Sequence, residues 1–186
     1  MAVKTMAKNT GTGQYNVGWH ELTVSKAVDG KWGDKRTIDL NFEGYPDNMR
    51  HRVFEASNKT TGEEFKIANL FRFACAGIIS VLQDPTGKNP VIQYDDEVTN
   101  LVGTRVNVLF VKETSTTDGK EYSRTFDLVP VVQETEHITW TDDDVVRLKK
   151  GVEKQYTKRT ATTTNGVGTV HLDTTTTTTG DAEVPF

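Results

Sequence analysis

Cysteine occurs once in the 186 residues, at Cys75. A lone thiol builds neither an intramolecular disulfide nor a thiolate metal site, so its expected role is that of a small buried apolar side chain in a reducing compartment. No apolar run approaches the roughly 20 residues of a membrane span, and the opening MAVKTMAKNTGTGQ has no signal-peptide core. A cytoplasmic location with no membrane partner is expected. A basic excess is missing as well. The formal net charge is −4, which withholds the usual global signature of a nucleic-acid binder but still permits a local basic groove. The histidines, His20, His51, His137 and His171, lie far apart without ligand spacing, which argues against zinc. Asp95, Asp96 and Glu97 do not match a calcium loop and read as part of a polar loop over 84–100. No nucleophile elbow, phosphate-cradling loop or paired-carboxylate signature occurs. No metal, no cofactor and no enzymatic activity are expected.

What is present begins with one helical pattern, Thr61 to Asp84. Ile67, Leu70, Phe71, Ala74, Ile78, Val81 and Leu82 recur at three- and four-residue spacing along one helix face. Thr61 with Glu64 reads as a capping box, and Pro85 with Gly87 as the stop. Gly77 inside the pattern costs about 1 kcal/mol against alanine, which suggests a bend or close packing there.

Three strand patterns precede this helix. Gly18 to Val28 alternates, with Leu22 and Val24 on one side. Arg36 to Gly44 alternates around Ile38, Leu40 and Phe42, and the segment Asp29 to Asp34 between them reads as a hairpin turn with Trp32 at its tip. Met49 to Ala56 is a third, less regular strand. Two strands follow the helix: Leu101 to Val111, rich in branched residues, and Glu121 to Val132, with Tyr122, Phe126 and Leu128 on one face. Lys112 to Lys120 is the long turn between them. Three strands, a helix and two strands (β-β-β-α-β-β) is the order of a five-stranded OB-like barrel, so the expected class is mainly β. Thr141 to Lys158 reads as a C-terminal helix, N-capped by Thr141 with Asp142, Asp143 and Asp144 at the positive end of its dipole. The expected organisation is a flexible arm over 1–16, a barrel domain over 17–135, a helix over 141–159, and a flexible threonine-rich tail over 160–186. That tail includes six consecutive threonines, Thr174 to Thr179.

Candidate binding residues follow from what single strands require: cations along the phosphates and aromatic faces under the bases, the latter worth about 1–3 kcal/mol per base. The first hairpin tip offers Lys31, Trp32, Lys35 and Arg36. Trp32 on a glycine-flanked turn is costly to expose without a purpose, although folding back onto the barrel rim is the alternative. If Val53 faces the core, then Arg50, Arg52 and Phe54 share the other face, either as a binding set or as a solvated strand face. The second long turn and its strand offer Lys112, Lys120, Tyr122 and Arg124, with Tyr122 equally able to be core. The basic run Arg147 to Arg159 is read first as a solvated helix face, and second as a phosphate contact or a dock for the acidic tail.

The chain ends Asp181-Ala182-Glu183-Val184-Pro185-Phe186, which presents an aromatic ring, a carboxylate and nearby acids to a basic-rimmed pocket. This ending resembles the tip of bacterial single-stranded DNA-binding proteins, which finish in acidic residues followed by Ile-Pro-Phe; the acidic run here is shorter. In layout, GWHELTVSKA, LVGTRVNV and GKEYSRTFDLVPV are similar to phage OB-fold single-stranded DNA-binding proteins. The resemblance implies coating of single-stranded DNA in phage replication, recombination or repair, within the host cytoplasm. It also implies recruitment of replication proteins through Asp181, Glu183, Val184, Pro185 and Phe186. A homo-oligomer is left open. The competing readings are a phage structural β-protein of capsid or tail, and an OB-fold protein–protein adaptor.

Overall fold

The computed structural model describes residues 15–82, 90–115 and 117–163. The arm before residue 15 and the expected tail from residue 164 on, with its terminal tip, lie outside the described residues, while residues 160–163 continue the last helix. The elements, in chain order, are β1 (Gly18–Trp32), β2 (Lys35–Phe42), β3 (Arg50–Phe54), α1 (Lys66–Ala74), β4 (Ile78–Leu82) and β5 (Val91–Tyr94). A 3-10 turn (Val98–Leu101) follows, then β6 (Arg105–Thr114), β7 (Glu121–Pro130), the short pair β8 (Gln133–Glu134) and β9 (Thr139–Trp140), and α2 (Asp142–Thr163).

A mainly β chain was expected, and the centre is a five-stranded antiparallel sheet in the order β3-β2-β1-β6-β7. β1 is its spine. The first half of β1 pairs with β6 and the second half with β2; a bulge at Val24–Lys26 lies where it leaves one partner for the other. The alternating residues meet in one core: Leu22 and Val24 from β1, Ile38, Leu40 and Phe42 from β2, and Val106, Val108 and Phe110 from β6. Ile67, Leu70, Phe71 and Ala74 of α1 close over them. β6 is buried on both faces, because Leu109 and Val111 point the other way and pack with Val129 against Val152 and Tyr156 of α2. That two-sided burial is why Val108 to Val111 is an unbroken apolar run instead of an alternating one.

Barrel closure was expected and is not seen. Among the described residues no ladder joins β3 to β7. Their edges meet instead through a side chain: Thr125 Oγ1 donates to the carbonyl of Arg50 at 3.2 Å. β3 is only five residues long, and β7 carries a bulge where Leu109 faces both Phe126 and Asp127. A short edge and a locally kinked partner leave the seam open.

The helix over Thr61 to Asp84 is corrected to nine residues. Glu64 does cap it, accepting from Ile67 N at 2.7 Å and Ala68 N at 2.9 Å, while Thr61 Oγ1 serves a local turn by accepting from Glu63 N. The helix stops at Cys75, which is left-handed at φ 51°, and Gly77 follows at φ 60°. A Cβ on Gly77 would lie 2.3 Å from the Asp95 carbonyl oxygen, so the chain reverses where only glycine fits. Ile78–Leu82 then forms a strand with Val91–Tyr94, within the stretch expected to be a loop. The run Ile-Ile-Ser-Val-Leu satisfies a helical spacing and a strand equally; close backbone packing at Gly77 decides between them.

The first turn is also shorter than expected. β1 continues to Trp32, which pairs with Lys35, and only Gly33 and Asp34 form the loop, with Gly33 at φ 59°. α2 starts as expected: Asp144 N donates to Thr141 Oγ1 at 3.2 Å, and Thr141 Oγ1 donates to Asp144 Oδ2 at 2.7 Å. The end of the expected arm is docked. Tyr15 exchanges hydrogen bonds with Ser123, and its ring lies 5.1 Å from that of Tyr45.

Candidate nucleic-acid interface

The open seam between β3 and β7 is a groove of about 670 Å³. Strand pairing decides what lines it. Ile38 lies opposite Val53 and Leu40 opposite His51, so the residues between them, Arg50, Arg52 and Phe54, turn outward as expected. On the facing strand Tyr122, Arg124 and Phe126 turn outward before the bulge. These six residues line the groove from its two sides, with Arg159 of α2 contributing at one end. Phe126 is held between the ring of Tyr156, 5.0 Å away, and the guanidinium of Arg159, 6.0 Å away. Of the groove residues, Glu113 is the one acid. Phe54 is 42% exposed and Trp32, beside the groove, 66%.

Tyr122, Phe126 and Leu128 were expected on one face. The bulge overturns this: Leu128 joins the main core, while Phe126 packs with the α2 cluster and Tyr122 is exposed. An extra residue between Thr125 and Leu128 inverts the alternation.

The first hairpin divides its candidates between two faces. Trp32 and Lys35 lie opposite each other on the outer face, the one shared with Arg50, Arg52 and Phe54. Lys31 and Arg36 lie on the other. Arg36 is a clamp within the fold. It donates to Asp29 through Nε and Nη2 at 2.8–3.1 Å, and to Asp96 beyond β5, which ties the hairpin to a loop sixty residues on. These partners hold the Asp29 carboxyl below, and the Arg36 guanidinium above, its ordinary range. Lys112 and Lys120 belong to the β6–β7 hairpin and do not line the groove; Lys112 lies 3.8 Å from Glu121.

Three of the cations that line the groove, Arg50, Arg52 and Arg124, carry acid partners. Arg52 makes a two-pronged bond to Asp39, Nε to Oδ1 at 2.6 Å and Nη2 to Oδ2 at 2.7 Å, and Arg50 lies 3.5 Å from the same carboxylate. The hydrogen bond from Arg52 is the main cause that lowers the Asp39 pKa. Arg124 lies 3.4 Å from Glu113. Beneath the groove His51 is 5% exposed and its Nδ1 has no hydrogen-bond partner. Burial lowers its pKa to about 4, opposed by the charge of Asp127.

Sequence reasoning missed Tyr15, Asp39 and Phe126 as parts of this surface, and read the run ending at Arg159 first as a solvated helix face and second as a phosphate contact. Asp39 could have been found, since aligning the outward residues of β2 and β3 sets it against Arg52. Tyr15 gave no signal beyond being aromatic. Trp19 and Trp140 are committed elsewhere: Trp19 Nε1 donates to Glu153 of α2 at 2.7 Å, and Trp140 Nε1 to the Arg72 carbonyl at 3.2 Å.

Among the described residues no group of three or more His, Cys, Asp or Glu side chains is placed to hold a metal ion, and no helix is long and apolar enough to cross a membrane. No protein-family model matches the chain, and no curated protein matches it.

Proposed function

We propose that this chain is a single-stranded DNA-binding protein of phage type, built on an OB-like sheet whose β3–β7 seam stays open. One observation carries the reading. In a chain of net charge −4, four arginines (Arg50, Arg52, Arg124 and Arg159) and the rings of Tyr15, Phe54, Tyr122 and Phe126 converge on one groove. Guanidiniums follow a phosphate backbone, and exposed rings stack with bases of any sequence. The sheet order β3-β2-β1-β6-β7, with α1 between the third and fourth strands of the main sheet, fits an OB-like layout. In this reading the protein coats exposed strands during phage replication, recombination or repair in the host cytoplasm. The tail ending in Val184, Pro185 and Phe186 recruits replication proteins, and Asp181 and Glu183 beside it lower the affinity for DNA.

The pairing of groove arginines with Asp39 and Glu113 is what favours the second reading, an adaptor that docks an acidic protein segment. Titration with oligo-dT, followed by intrinsic tryptophan fluorescence at low and then high salt, separates the two. Saturable quenching that weakens with salt is expected, because binding releases counterions from the strand. No binding at low salt overturns the single-strand reading and leaves the adaptor. Deleting residues 173–186 is expected to tighten binding; unchanged or weaker binding removes the role given to the tail.

A further inference from the structure

Pairing register places four rows across the outer face of β1, β2 and β3. They are Lys26·Asn41·Arg50, Val28·Asp39·Arg52, Gly30·Thr37·Phe54 and Trp32·Lys35. Asp39 sits in the middle strand and is 17% exposed. Its two oxygens hold the Arg52 guanidinium by two parallel bonds, which fixes both the position and the plane of that group. The same guanidinium lies 5.8 Å from the centre of the Trp32 ring, within cation–π range. Gly30 carries no side chain between Val28 and Trp32, and the buried Thr37 fills that space: a Cβ on Gly30 would meet Thr37 Oγ1 at 3.2 Å. The patch is therefore a low floor of Gly30 and Thr37 beside an exposed indole and an oriented guanidinium, with the Phe54 ring in the row between them.

Resting on the single-strand reading above, we infer that this face is a nucleobase-stacking platform in which Trp32 and Arg52 present their planes to the bases. Asp39 is its positioning residue. Two of the five N–H donors of Arg52, on Nε and Nη2, are taken by Asp39, and this fixes the guanidinium plane as a face for a base, where a guanidinium stacks and an ammonium does not. The phosphates fall to Arg50 and Arg124, each with one longer acid contact and a more exposed side chain. The consequence runs against simple electrostatics: removing the negative charge of Asp39 from a DNA-binding face weakens binding.

The test is oligo-dT affinity across a salt series for wild type, Asp39→Asn, Arg52→Lys, Arg52→Ala and Arg124→Ala, with thermal unfolding run on each. Arg52→Lys and Arg52→Ala are expected to lose affinity alike, within the roughly 5- to 150-fold that one stacked base supplies. Both are expected to keep the wild-type slope of log K against log salt. Asp39→Asn is expected to weaken binding at unchanged slope and to reduce the quenching of Trp32. Arg124→Ala is expected to lower the slope by about 0.7, as loss of one phosphate contact does on a single strand. Tighter binding by Asp39→Asn, or an Arg52→Ala slope that falls as the Arg124→Ala slope does, overturns the platform while leaving DNA binding in place. Absence of wild-type binding instead removes the function itself and the platform with it. Should Asp39→Asn fail to fold, the Arg52→Lys and Arg52→Ala pair decides alone, since a phosphate role predicts retention in the lysine variant.

Discussion

The sheet has two places where its strands could meet across the core, and they differ. Between β1 and β6 the ladder is continuous from Gly18 to Thr23, and both faces are dry: Val106, Val108 and Phe110 face one core, Leu109 and Val111 the other. Between β3 and β7 there is one side-chain bond, a groove, and a lining of arginine and aromatic residues. The contrast lies in the outward residues. Where these are apolar and a helix covers them, burial and the ladder reinforce each other. Where they are Arg50, Arg52 and Arg124, drawing the strands together would strip water from three cations served by two carboxylates, at a cost of several kcal/mol per ion. The open seam joins a short edge strand and a bulged partner to a charged lining, and the proposed single-strand reading rests on that lining.

The largest way to probe this contrast is to damage the dry side. Phe71→Ala should cost about 3–5 kcal/mol in chemical denaturation, because the ring is fully buried under the sheet. Next comes acid acting from beneath the groove. His51 has its folded pKa lowered to about 4 from the ordinary 6.5. Between those values the unfolded chain binds the extra proton, so stability rises with pH through this window. It is fully present above about pH 6.5 and is lost as pH falls towards 4, by up to about 3 kcal/mol. His51→Leu should flatten that dependence in pH-scanned unfolding; a slope that persists unchanged assigns it to other groups. Smaller again, Arg50→Ala with Arg124→Ala should leave unfolding nearly untouched and weaken oligo-dT binding by about tenfold. The smallest effect separates a cation of the fold from a cation of the groove. Arg36→Ala should lower stability by about 1 kcal/mol or less, given its partly exposed pairs, and leave affinity for oligo-dT unchanged. A loss of affinity there would return Arg36 to the interface.

Legibility followed how local each determinant is. The β1–β2 hairpin was readable because Ile38, Leu40 and Phe42 alternate within one strand, and the outward set Arg50, Arg52 and Phe54 followed from the same period. The start of α2 was readable because Thr141 and its three aspartates lie within four residues. What could not be read depends on distant partners. The reversal after α1 is imposed by the Asp95 carbonyl beside Gly77. Arg36 carries every mark of a phosphate ligand until Asp96 is brought to it by the β4–β5 pair. Arg159 joins the groove only because α2 packs across β6 and β7.

The β7 bulge has a further consequence, in terms of sequence length. Without it Tyr122, Arg124, Phe126 and Leu128 would all emerge on one side of the strand; with it, Leu128 is returned to the core and Phe126 kept at the groove. The segment Phe126-Asp127 thus acts as a phase shift between two reading frames of the same strand, one facing the groove and one facing the interior. Substitutions at Asp127 leave both frames in place. Deleting that one residue removes the bulge but leaves Leu128 opposite Val108 and Val129 opposite Asn107, whereas deleting a residue after it turns the later side chains to the opposite face, so the chain tolerates the loss of a residue at the bulge better than beside it.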